Sequence, residues 1–346
     1  MFLSLRPETY YKSRKRGALS GYHTKAFTIV PPNVEEVILK RLRFSLMVTQ
    51  GEVPFHALSP SISVRLGGLE QYVKILINSF ERNKDLIRFV ENISRGNIRL
   101  ALQLITTFIG SGHVNTRKIL ELDEKGGSVG YVVPLHEFFR AIVFEDNENY
   151  DPSSSHIVNI FDVSMADKKE HFILPLLIDF LLKEGSKAGH EGFVKINSIY
   201  DYLQNLGYVP AQIDLAISRA LDKGLIESEG RKTLLNAETV PQILRATTVG
   251  SYHVNELVCF FPYFDAIVVD TPILDSDKRE SISNVQRIED RLVRARDFKD
   301  YLDLCWEALQ GPSVKYSWPD LSVELTRHII SIEERVKISI ERKNDM

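Results

Sequence analysis

The chain is poor in several things, and each shortage excludes a class of protein. Among 346 residues there are two cysteines, two tryptophans and four methionines. Cys259 and Cys305 form no disulfide framework and lack zinc-ligand spacing, which fits a reducing cytosol and a cytoplasmic protein. Long hydrophobic runs are missing. The longest, 172–182 and 257–269, are interrupted by Asp179 and Asp265, so no transmembrane helix and no membrane partner are expected. The N-terminus has neither the charged nor the apolar region of a signal peptide. Charge of one sign is also lacking, with 43 Lys and Arg against 46 Asp and Glu, a net of −3. That balance predicts no bulk attraction to nucleic acid or anionic membrane and leaves such binding to a local patch. What remains is 44% hydrophobic and 26% charged, the composition of a globular protein with room for two or three domains.

Three short motifs match by spelling and fail by context. Gly126-Gly127-Ser128-Val129-Gly130 has the form G-x-S-x-G, but a charged helix end precedes it and Tyr131-Val132-Val133-Pro134 follows. A nucleophile elbow needs a strand before it and a helix after it. His136-Glu137-Phe138-Phe139-Arg140 lacks the second histidine of a zinc-protease helix, so no metal site is read here. Asp146 to Asp151 is acidic but lacks the glycine and closing glutamate of a calcium loop. With Pro152 and Ser153 to Ser155 it reads as a solvated inter-domain linker.

Taken in order, Met1 to Pro7 reads as a buried strand with no lead-in, which suggests the C-terminal part of a larger domain. Tyr10 to Gly21 is a basic loop with Arg14, Lys15 and Arg16, and Ala26 to Val30 is a second strand stopped by Pro31-Pro32. Nine basic residues stand against three acidic ones between Met1 and Arg43. Apolar spacing predicts helices from Asn33 to about Val48, then at 69–82, 84–94, 97–109 and 115–124. Further on, 172–183, 197–206 and a helix opened by Pro210 form a three-helix unit, followed by a hairpin over 225–235 with its turn near Gly230. The exposed residues of the third helix are expected to include Gln212, Asp214, Arg219, Asp222 and Lys223. Val258 to Asp270 reads as a strand ending in an Asx-type turn. One or two amphipathic helices over 282–309 and a closing helix from Leu321 complete the chain.

The stretch Ile93-Ser94-Arg95-Gly96-Asn97-Ile98-Arg99-Leu100-Ala101-Leu102-Gln103-Leu104 carries the most specific signal. Gly96 suits the left-handed end of one helix, and Asn97 suits the cap of the next. Arg99 then sits in the first turn of a helix whose apolar side runs Leu100, Leu104 and Phe108. This stretch resembles the sensor-2 region of AAA+ ATPases, especially the initiator branch, and of the related STAND signalling ATPases. Leu-Arg-Pro at 5–7, the basic loop, the second strand and Pro-Pro resemble the sensor-1 strand through the last core strand of the same family. The three helices and hairpin, with Ala220 to Ile226 as the exit of the third helix, resemble a winged helix.

The resemblance implies a mostly α fold with a small β component. Its parts would be the C-terminal end of an ATPase core at 1–50, a helical lid at 51–145, a linker at 146–170, a winged helix at 171–240, and a strand with a helical tail at 241–346. It implies ATP with Mg as the cofactor, Arg99 as the lid arginine that senses the bound nucleotide, Arg6 as the strand-end arginine near the γ-phosphate, and Gly96 and Asn97 as part of the nucleotide-facing corner. Duplex DNA would be held through Arg219, Lys223, Arg231 and Lys232. From Phe193 to Asn236 the charge is balanced, five basic against five acidic residues, so a protein partner or self-association is an equal expectation. The sequence departs from the family in lacking any G-x-x-x-x-G-K-[ST] loop, the main grip on a triphosphate. The chain alone is therefore expected not to hydrolyse ATP. Two other readings stay open. One is a non-catalytic winged-helix adaptor or DNA-binding regulator on a degenerate ATPase scaffold. The other is a subunit that lends Arg14, Lys15 or Arg16 in trans to an ATPase partner.

Overall fold

Four asparagines start four helices. Asn33, Asn83, Asn97 and Asn115 each turn a side-chain oxygen back onto first-turn amides, satisfying donors that a helix start leaves unpaired. The helices are α1 (Val34–Thr49), α3 (Lys84–Ser94), α4 (Ile98–Gly110) and α5 (Thr116–Lys125). Between the first two lies α2 (Leu69–Arg82), and α6 (Leu135–Phe144) follows. This computed structural model describes residues 32–52, 68–127, 130–187, 192–228, 242–282, 285–309 and 315–344, with positions 19, 21 and 25. It is mostly helical with one small antiparallel sheet.

The chain divides into two compact units. The helical unit comprises 31–162, 255–304 and 318–346. Its core is an aromatic cluster on Phe138 of α6, whose ring meets Phe80 and Phe89 edge-on, both at 5.9 Å, and Phe108 at 4.9 Å. All four are fully buried, each stabilising the unit by about 1.5–3 kcal/mol. The same unit contains α11 (Phe261–Ile267), α12 (Ser276–Ser281), α13 (Ile288–Glu307) up to residue 304, and α14 (Trp318–Asn344). Phe161 joins them, with ring contacts to Phe264, Phe298 and Trp318.

The mixed unit covers the described parts of 163–254 and 305–317. It begins with α7 (Ile173–Gly185), buried along nearly its whole length. Then come β1 (Val194–Lys195), α8 (Ile196–Asn205), α9 (Pro210–Asp222), β2 (Ile226–Ser228), β3 (Ile243–Ala246) and α10 (Thr248–Asn255). The strand order is β1-β3-β2, antiparallel, with Val194 opposite Leu244 and Ile226 opposite Ala246. Phe180 stacks on Tyr202 at 4.4 Å, and Phe172 meets Trp306 at 4.9 Å.

Several expectations change. The predicted strand over 258–270 is a short 3-10 turn, Leu257–Cys259, followed by α11. Pro262 explains this, being favoured in a helix's first turn and disfavoured inside a strand. The hairpin expected near Gly230 is not a local one. β2 pairs with β3, which starts at Ile243, and the turn itself lies outside the described residues. The expected solvated linker is solvated only in part. Ile157, Val158, Ile160 and Phe161 are buried, and the Tyr150 hydroxyl donates to Ile157 O while accepting from Asn159 N. Three helices, α6, α10 and α12, were not anticipated. The predicted strands at 1–7 and 26–30 and the basic loop with Arg14, Lys15 and Arg16 lie outside the described residues.

Gly250 lies in α10 where that helix crosses the end of α9's exit strand. A Cβ there would stand 2.2 Å from the Leu225 carbonyl oxygen. In an open helix Gly→Ala gains about 1 kcal/mol. At this position the backbone collision decides, and Gly250→Ala is expected to lower stability by about 1–3 kcal/mol in urea unfolding. His253 in the same helix is fully buried, and burial pushes its pKa down to about 4 although Nδ1 lies 2.8 Å from Val249 O. The unfolded chain protonates this histidine near pH 6.5, so stability falls as pH drops from about 6.5 towards 4, by about 3 kcal/mol in total. Unfolding followed across that range is expected to show the slope, and His253→Gln is expected to flatten it.

Candidate functional site

The corner between α3 and α4 is three residues long. Arg95 closes α3 in the left-handed region (φ 55, ψ 34), its N–H donating to Glu91 O at 3.0 Å. Gly96 follows at φ +71, and a Cβ on it would meet nothing within 4 Å. Backbone conformation rather than space therefore selects glycine here. Asn97 returns the chain to extended geometry. Its Oδ1 accepts from Arg99 N at 3.1 Å and Leu100 N at 3.3 Å. Ala101, Leu104, Ile105 and Phe108 then bury α4, while Leu100 is only half-buried. The expected corner is present at the expected residues. The left-handed geometry of Arg95 itself was not anticipated, since a non-glycine residue there leaves little trace in sequence.

Arg99 is exposed in the first turn of α4. Other surface cations of the helical unit are paired: Arg43 with Glu81, Lys84 with Glu35 and Arg88 with Glu256, each at 2.7 Å. Among the described residues, no hydrogen bond or ion pair reaches the Arg99 guanidinium. A cation at a helix N-terminus also opposes the macrodipole, at a cost of about 0.3–1 kcal/mol. Arg99 thus contributes nothing evident to the stability of the fold. Arg6, its expected companion, lies outside the described residues.

In the mixed unit, α9 carries two of the four cations expected to face DNA. The Arg219 Nη2 donates to Ser164 Oγ at 2.8 Å, and Lys223 caps the helix C-terminus through its backbone N–H to Arg219 O at 3.0 Å. Both are half-buried. Arg231 and Lys232 lie outside the described residues. Gln212, expected at the surface, is instead 4% exposed. Its Oε1 accepts from Val209 N, and its Nε2 donates to Asp167 at 3.2 Å and Glu170 at 3.4 Å. A buried amide must satisfy both ends, and here the start of α9 and the buried Glu170 do so. Asp214 accepts the Tyr200 hydroxyl, whose pKa is pushed up to about 12 by burial and then by that carboxylate. The open face of α9 is therefore Pro210, Ala211, Asp214, Leu215 and Asp222.

Among the described residues, no group of three His, Cys, Asp or Glu side chains is placed to hold a metal ion, and no helix is long and apolar enough to cross a membrane. No protein-family model, curated protein or solved structure matches the chain.

The geometry separates the cap from the cation. Asn97→Ala is expected to cost about 1 kcal/mol of stability, with Asn97→Asp retaining most of it. Arg99→Ala is expected to stay within about 0.5 kcal/mol of the parent. Paired denaturant titrations check both, and a large loss in Arg99→Ala would assign that side chain a structural contact.

Proposed function

We propose that the chain is the lid and effector part of an ATP-dependent AAA+ or STAND-type switch. The observation that carries this reading is Arg99. It is an exposed arginine held on a rigid, asparagine-capped corner, where it opposes the helix dipole and has no partner among the described residues. Such a side chain suits a phosphate brought to it by another segment, where a charge-assisted contact is worth about 1.5–3 kcal/mol. The mixed unit supports the second half of the reading. Its order α7, β1, α8, α9, β2, β3 and sheet order β1-β3-β2 support a winged-helix reading. In the proposed cycle, ATP with Mg is gripped by a phosphate loop that this sequence does not contain. Arg99 and Arg6 approach the γ-phosphate, Gly96 and Asn97 hold the corner, and lid movement re-aims the winged helix.

The open face of α9 favours a protein over duplex DNA as the effector. Asp214 and Asp222 repel phosphates, Gln212 is committed to the core, and Leu215 is 46% exposed. A DNA arm would rest on Arg219, Lys223, Arg231 and Lys232, with the steep salt dependence of phosphate contacts. The missing phosphate loop also supports a second reading, a non-catalytic winged-helix adaptor or DNA-binding regulator.

The purified chain alone is expected to show no measurable ATP turnover. The assembly recovered on a tagged chain from its source cells is expected to hydrolyse ATP, and Arg99→Ala is expected to slow that turnover about 10- to 100-fold. Turnover indifferent to Arg99→Ala removes the lid reading. An assembly without ATPase activity, but with salt-dependent duplex binding lost on replacing Arg231 and Lys232, selects the regulator instead.

A further inference from the structure

Where α11 gives way to α12, the helical unit holds a cavity of about 380 Å³, within the size range of small-molecule sites. Its apolar lining is mainly aliphatic: Val268 and Ile273 are buried, Ile282 is half-buried, and Val269 is 39% exposed. Much of its polar lining is held by bonds within the unit. Asn159 Nδ2 donates to Thr271 Oγ1 at 2.9 Å and to Asp270 Oδ2 at 3.4 Å, and the Thr271 hydroxyl donates to Ile267 O at 2.9 Å. Arg294, at 4% exposed, donates to Asp265 Oδ1 at 2.7 Å.

Arg279 differs from these. It is exposed on α12 and turns back over the preceding segment, where its Nε and Nη2 both donate to the Ile273 carbonyl, at 3.3 and 3.0 Å. Among the described residues no carboxylate pairs with it. A guanidinium carries five N–H donors in one rigid plane. The carbonyl takes the Nε side of that plane. It leaves the Nη1 amino group and one Nη2 hydrogen, the end-on edge that a carboxylate meets with two parallel bonds. A side chain already fixed in this way gives up little rotamer freedom when an anion arrives.

We propose that this cavity binds a small monocarboxylate with an aliphatic body. The carboxylate lies on Arg279, and the hydrocarbon part lies against Val268, Val269, Ile273 and Ile282. Asp270 lines the same cavity, and its charge repels a phosphoryl dianion more strongly than a singly charged acid. Arg294 is engaged by Asp265, so recognition of the anion falls to Arg279. The aliphatic side chains favour a hydrocarbon body over a polyhydroxylated one, whose hydroxyls would lose water there without replacement. The site shares no residue with the Arg99 corner or the open face of α9, and it stands whether or not the chain belongs to a nucleotide switch.

The test is methyl NMR of the full chain labelled at isoleucine and valine, titrated at constant ionic strength with acetate, isobutyrate, isovalerate and 4-methylpentanoate. Saturable shifts are expected at the methyls of Val268, Val269, Ile273 and Ile282, with affinity rising about fourfold per added methylene until the cavity is full. Isovaleramide, which keeps the shape and lacks the charge, is expected to bind about 10-fold more weakly than isovalerate, and so is inorganic phosphate. Arg279→Gln is expected to weaken isovalerate about 10-fold or more while the methyl signals of Ile75 and Ile87, in the core of the same unit, stay in place. Val269→Asp sets a second carboxylate on the lining at a partly exposed position and is expected to abolish binding with those core signals unmoved. Three results overturn the proposal: no saturable shift at the cavity methyls, isovaleramide or phosphate bound as tightly as isovalerate, or affinity unchanged in either variant.

Discussion

Helices of ten to sixteen residues are marginal in water on their own, and tertiary burial decides whether they persist. In the helical unit that burial converges on Phe138. Its ring touches one aromatic residue from each of α2, α3 and α4, so a single side chain ties three helices to a fourth. Loss of such a ring costs about 3–5 kcal/mol, a large share of the stability of an ordinary domain. The asparagine caps act at a second level. Each is worth about 1 kcal/mol and sets where a helix begins, which in turn fixes which residues reach the cluster. Asn97 shows the coupling: its two amide bonds set the start of α4, and that start brings Phe108 to Phe138 while turning Arg99 outward.

That coupling explains which parts could be read from sequence. Helices α1 to α5 announce themselves through local chemistry, an asparagine or glycine at the boundary and apolar residues at helical spacing. The corner of Gly96, Asn97 and Arg99 is legible for the same reason, because all of its determinants lie within a few residues. Helix α6 has no side-chain cap, and Pro134 precedes it, so its start is silent. Helix α11 is apolar on nearly every side, and an apolar run of that length does not distinguish a buried helix from a buried strand.

The remaining surprises are non-local. β3 is four residues long and is defined by pairing with β1 and β2, not by its own sequence. Gln212 looks like a surface residue until Asp167 and Glu170, 45 and 42 positions earlier, are brought to it. Asp265 lies 26 and 29 positions from its two arginines, which separately read as ordinary charges on an amphipathic helix. Local patterning thus recovers elements and caps, while the partners of buried polar groups wait for the fold.

Charge makes the same point with a different consequence. A net of −3 spread over 346 residues looks inert, yet the local fields are uneven. On the open face of α9 the charged residues are Asp214 and Asp222, while around Asp265 two arginines share one carboxylate. Neither arrangement follows from stability. An exposed surface pair is worth at most about 1 kcal/mol, and a buried pair roughly breaks even against apolar packing. Two arginines on one buried carboxylate carry a dehydration cost that their pairing only partly repays. Ligand binding can offset such a cost, because an arriving anion meets donors already held in position and gives up less free energy to order them. The places where this chain departs from charge balance are therefore where its ligands are to be sought.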